Sequence, residues 1–124
     1  MFNLFKSDKK LCVTEKQKEV CKGCNVEPFA SDLELKVGVS KNLSGNIWPV
    51  NGLRHKPENG TSGWYFWAGD YSEDPDFFEP MHLKHLVTKL PLMERFLALP
   101  PGWRFLIGEN GHVDIWEDKN LLIT

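Results

Sequence analysis

Residues 63–79, Gly63-Trp64-Tyr65-Phe66-Trp67-Ala68-Gly69-Asp70-Tyr71-Ser72-Glu73-Asp74-Pro75-Asp76-Phe77-Phe78-Glu79, constrain the fold more than any other stretch. Trp64, Tyr65, Phe66 and Trp67 are consecutive, large and β-favouring, and glycines bracket them. Such a run reads as a central strand with at least one buried face. The second half changes character at once. Asp70, Glu73, Asp74, Asp76 and Glu79 follow with no Lys or Arg among them. A stiff aromatic strand therefore delivers an acidic loop to the surface, and the role expected of that loop is binding rather than catalysis.

The flanking sequence supplies the elements that pack around this strand. Thr14, with Gln17 three residues on, is a capping box. A short helix is predicted over about 15–22, stopped by Gly23 and Asn25 and closed off by Pro28. Asp32–Ser40 alternates, with Leu33, Leu35, Val37 and Val39 on one face, the pattern of a half-buried strand. Ile47-Trp48-Pro49-Val50 is assigned to an edge or bulge, because Pro49 cannot donate to a ladder. Segments 47–55 and 63–69 together read as a long hairpin. Pro80, preceded by acids, suits a helix start, and Leu83, Leu86, Val87 and Leu90 share one face. That predicts a helix over about 80–89, with a second one carrying Leu92, Met93, Phe96 and Leu97. Trp103–Ile107 and His112–Trp116 form a hairpin about Asn110-Gly111, and Trp103 and Trp116 are assigned to the core. The tail Leu121-Leu122-Ile123 packs back. The order predicts an α+β fold, a single domain with an antiparallel β-sheet and helices packed on one face. Residues 1–13 are read as a flexible lead-in and 14–124 as the domain.

At 124 residues the chain is long enough for a core without staples. A net charge of −2 argues against a nucleic-acid binder, which needs a clustered positive field. No apolar run reaches the length that spans a bilayer, so stable membrane insertion is not expected. The opening, Met1-Phe2-Asn3-Leu4-Phe5-Lys6, is too short for the apolar core of a secretory signal. An odd count of cysteines, Cys12, Cys21 and Cys24, then points to reduced thiols and a cytoplasmic location.

Several patterns invite a catalytic or metal reading. Cys21-Lys22-Gly23-Cys24 has redox and zinc spacing, but the pair ends a helix rather than beginning one, and no second pair completes four ligands. His82 and His85 lie one helical turn apart and are metal candidates of the same low rank. Asp70, Glu73, Asp74 and Asp76 lack the spacing of a calcium loop. Paired carboxylates beside tryptophans suggest glycoside hydrolysis, yet a solvated loop on a packed strand explains the same residues. There is no G-x-S-x-G elbow and no phosphate-binding glycine loop. The expectation is therefore no metal, no cofactor and no enzyme. The alternatives are a small metal-dependent or carbohydrate-directed enzyme, or a generic interaction domain.

Four segments in one order carry a resemblance: 51–55 (Asn-Gly-Leu-Arg-His), 63–69, 74–82 (Asp-Pro-Asp-Phe-Phe-Glu-Pro-Met-His) and 99–107 (Leu-Pro-Pro-Gly-Trp-Arg-Phe-Leu-Ile). They resemble bacterial proteins of the immunity thirty-three-like type, first catalogued as a domain of unknown function and associated with polymorphic-toxin systems. The resemblance covers about residues 14–122. It implies a cytoplasmic antidote that binds a cognate toxin protein and is not itself an enzyme. The residues expected to meet that partner are Arg54, Trp67, Asp70, Glu73, Asp74, Asp76 and Glu79. Acids interleaved with aromatics suit a basic partner, because the negative rim steers it and the rings anchor it. Arg54 is equally open to pairing with an acid of the 70–79 loop. The oligomeric state is left open.

Overall fold

The aromatic run becomes the strand on which the sheet is built. The computed structural model describes residues 11–44 and 46–123. The basic-aromatic opening and most of the expected lead-in lie outside the described residues. The strands are β1 (Lys36–Ser40), β2 (Val50–Arg54), β3 (Thr61–Ala68), β4 (Phe78–His82), β5 (Trp103–Ile107) and β6 (Val113–Glu117). They form one sheet in the order β4-β1-β3-β2-β5-β6. β1 and β3 pair in parallel and every other pair is antiparallel. With helices α1 (Glu15–Gly23) and α2 (Leu83–Lys89), this is a small α+β domain.

Side chains alternate across the sheet and sort it into two unlike faces. Val37, Val39, Val50, Trp64, Phe66, Ala68, Phe105 and Ile107 lie on the covered face. Leu83 and Leu86 of α2, Cys21 of α1, and Met93 and Phe96 of a 3-10 helix (Pro91–Phe96) complete that core. Phe96 stacks on Phe105 with ring centroids 4.1 Å apart. Each fully buried ring contributes about 2–3 kcal/mol of transfer free energy. On the other face Tyr65, Leu53, Leu106, Arg104 and Trp116 remain only partly covered, and among the described residues neither α1 nor α2 packs there.

The α1 capping box forms as read. Gln17 N donates to Thr14 Oγ1 (3.1 Å) and Thr14 N to Gln17 Oε1 (3.0 Å). The 103–117 hairpin also forms, and the tail packs back through a 3-10 turn (Lys119–Leu122) that buries Leu121. Four expectations are corrected. The strand expected over 32–40 begins only at Lys36, because Glu34 N donates to Asp32 Oδ1 and Leu35 N to Asp32 O, making a turn. β2 lies in the sheet interior, and Pro49 stands just ahead of it. Residues 80–82, expected to open a helix, lie instead in the edge strand β4, since Val37↔Met81 and Val39↔Glu79 pairing with β1 outweighs the local helix signal. The second expected helix is 3-10 rather than α.

Candidate functional site

The loop after β3 does not simply hang in solvent. Tyr71 folds back over Trp67 with ring centroids 5.3 Å apart, and a chain of edge-on contacts runs Tyr71–Phe77 (5.6 Å), Phe77–Phe78 (4.9 Å) and Phe78–Tyr65 (5.1 Å). Each such pair adds about 0.5–1.5 kcal/mol beyond burial. Tyr65 leans across β1 because Gly38 leaves the room. A Cβ at Gly38 would lie 2.6 Å from the Tyr65 ring. The loop is also braced internally: Asp74 N donates to Ser72 Oγ (3.1 Å) and Asp76 N to Asp74 Oδ1 (2.9 Å).

This bracing displays the carboxylates. Asp70, Glu73, Asp74, Asp76 and Glu79 are all exposed. Only Glu79 has a cationic partner among the described residues, Lys41 at 3.8 Å. A surface depression of about 360 Å³ beside the loop is lined by Lys41, Asn42, Ser72, Asp74, Asp76 and Phe77. Beyond Tyr65 the helix-free face continues through Leu53 and Arg104 to Trp116, in register across β3, β2, β5 and β6. Arg104 lies over the Trp116 ring (5.4 Å) and donates to Asp118 Oδ2 (3.1 Å), while its buried Nε has no partner among the described residues.

Two of the expected partner-contacting residues lie elsewhere. Arg54 is 1% exposed and points into the core. Its Nε donates to Ser62 O (3.1 Å), its Nη1 to Phe29 O (2.8 Å) and Leu99 O (2.9 Å), and its planar guanidinium lies over Phe29 and Trp64. Its guanidinium bonds backbone carbonyls and none of the acids of the loop. Burial pushes it down to about 10, which leaves it charged across the neutral range. Trp67 is 5% exposed, because Tyr71 and Phe78 cover it, so it supports the loop rather than meeting solvent. Trp116, assigned to the core from sequence, is instead exposed on the open face, whereas Trp103 packs against the core. The signal for Tyr65 and Trp116 was available in the period-two alternation, which sets Tyr65 opposite Trp64 and Phe66, and Trp116 opposite Ile115.

The metal candidates do not converge. Among the described residues no group of three or more His, Cys, Asp or Glu side chains is placed to share an ion. The His82 and His85 rings meet edge-on at 5.5 Å. Cys21 is buried with Sγ donating to Ala98 O (3.3 Å). Burial pushes the thiols of Cys21 and Cys24 up, so both stay protonated at neutral pH.

A family model described as Imm33-like domain matches residues 16–118, the span from α1 through β6. The chain belongs to the Imm33-like family. Comparison with curated proteins and with solved structures gives no match. The family points to an immunity protein with a toxin as its partner in general, rather than to an enzyme. Within this Imm33-like domain the matched span includes the whole sheet and the acidic loop. No helix among the described residues is long and apolar enough to cross a membrane.

Proposed function

We propose that this Imm33-like domain is a cytoplasmic immunity protein that binds and neutralises a cognate bacterial toxin through its acidic loop and the helix-free aromatic face beside it. The observation that carries the reading is the pairing of displayed charge with rigid rings. Asp70, Glu73, Asp74 and Asp76 are exposed without a cation among the described residues, and they sit on a loop pinned by Tyr71 and Phe77. Such a surface spends little ordering entropy on binding, because the rings are already held. It attracts a basic site from a distance and excludes water once docked. The depression between Lys41, Asp74 and Asp76 has the charge and size to take a partner's Lys or Arg side chain. Glu79, tied to Lys41, belongs to the rim, while Arg54 and Trp67 act from beneath by holding the scaffold.

The double variant Glu73→Lys with Asp76→Lys tests this. Both side chains are exposed, so folding is expected to be retained. The complex with toxin is expected to weaken by at least about a hundredfold, chiefly through slower association, and its salt dependence to flatten. A variant that protects cells as well as the parent, with unchanged salt dependence, removes the loop from the interface.

A further inference from the structure

The sheet has two edges, and only one is blunted. The bond from Leu83 N to Leu35 O (2.9 Å) fixes the pairing parity of β4, so Phe78, Pro80 and His82 turn their backbone groups away from β1. At the centre of that outward row Pro80 has no N–H to offer, a device that discourages strand addition. At the opposite edge Gly108 N donates to His112 O (2.8 Å) and Asp118 N to Gly102 O (2.6 Å). The even-numbered residues of β6 therefore bond β5, and Val113, Ile115 and Glu117 present their N–H and C=O groups outward. No proline, glycine or lysine interrupts that row. Among the described residues no strand pairs with it, and the side chains of Val113 and Trp116 are exposed.

We propose that β6 pairs with β6 of a second copy of this chain, antiparallel and centred on Ile115, to give a two-fold dimer. Charge selects the partner and the register. Centring on Ile115 sets Ile115 against itself, Val113 opposite Glu117, Asp114 opposite Trp116 and His112 opposite Asp118. Every carboxylate in the seam then faces a neutral side chain or an imidazole. Centring on Asp114 sets that carboxylate against its own copy, and centring on Trp116 sets Asp114 against Asp118. Like charges directly opposite are destabilising, so one full-length register survives. Such a pair is self-complementary, as a two-fold interface must be. Its axis runs perpendicular to the sheet, which leaves both helix-free faces on the same side as one continuous surface. This inference stands independently of the toxin reading.

Sedimentation velocity of the full chain from micromolar to submillimolar concentration tests it. The chain is expected to pass from monomer to dimer over that range. Val113→Pro removes an outward N–H without breaking a bond to β5, and His112→Asp sets like charges opposite each other at Asp118. Each is expected to raise the dimer dissociation constant by at least about tenfold, with the tryptophan near-ultraviolet circular dichroism unchanged. If Val113→Pro loses that signal, the exposed His112→Asp decides alone. A chain that stays monomeric throughout, or a dimer that the folded variants do not weaken, overturns the proposal.

Discussion

Replacing Arg54 with Met is expected to cost about 3–5 kcal/mol of folding free energy, because several buried carbonyls lose their donor at about 1–3 kcal/mol each. The guanidinium bonds carbonyls from three separated segments: Phe29 in the α1–β1 connection, Ser62 in β3, and Leu97 and Leu99 after the 3-10 helix. Met fills the space but removes this donor from all of them, and of these Leu97 O has another partner, the Ser31 hydroxyl. Against a total of about 5–15 kcal/mol for a domain of this kind, that leaves little margin. Urea denaturation followed by tryptophan fluorescence measures it. The pH dependence discriminates further. Below about 10 both folded and unfolded chains keep this proton, so its contribution is constant from acid to neutral. Only above that pH does the folded chain shed the proton first, and the contribution of this group then rises with pH. The deficit of Arg54→Met is therefore the same at about pH 5 and about pH 8. A deficit that disappears in acid implies a carboxylate partner, which the geometry lacks.

Gly63→Ala is expected to be nearly as damaging, costing about 3 kcal/mol or more. Gly63 opens the aromatic run with φ of +89°, and a Cβ there would lie 2.1 Å from His55 O. That atom is backbone and cannot rotate aside. It also belongs to the residue whose N–H bonds Gly63 O (2.8 Å), so relief of the clash breaks the pairing of β2 with β3. The same denaturation measurement applies. A loss below about 1 kcal/mol contradicts the close approach, because left-handed strain alone accounts for that much.

Local signals carried well wherever the structure is local. The Thr14–Gln17 box, the 103–117 hairpin and the buried stripe of Leu83 and Leu86 all formed as read. What failed was long-range. Pro80 looks like a helix start, and only pairing with β1, more than forty residues earlier in the chain, makes it a strand residue. The parallel contact of β1 with β3 leaves no trace in either alternation pattern. Arg54, a charged residue two positions beyond a glycine, reads as surface, and its inward turn depends on carbonyls that the fold alone assembles. The acidic loop was legible as exposed, since nothing in its composition offers a core contact except its rings. That those rings would fold back and bury Trp67 was not, because an aromatic beside solvent reads equally as anchor or as cover.

Hydroxyl-radical footprinting of the chain, alone and bound to the toxin proposed as its partner, tests the docking face most directly. Tyr65, Tyr71, Phe77 and Trp116 on the helix-free side are expected to lose reactivity in the complex. Phe29 and Leu92, exposed on the helical side, are expected to react as before. Protection of Phe29 and Leu92 with Tyr71 and Trp116 unchanged contradicts the account, and places the toxin on the helices instead.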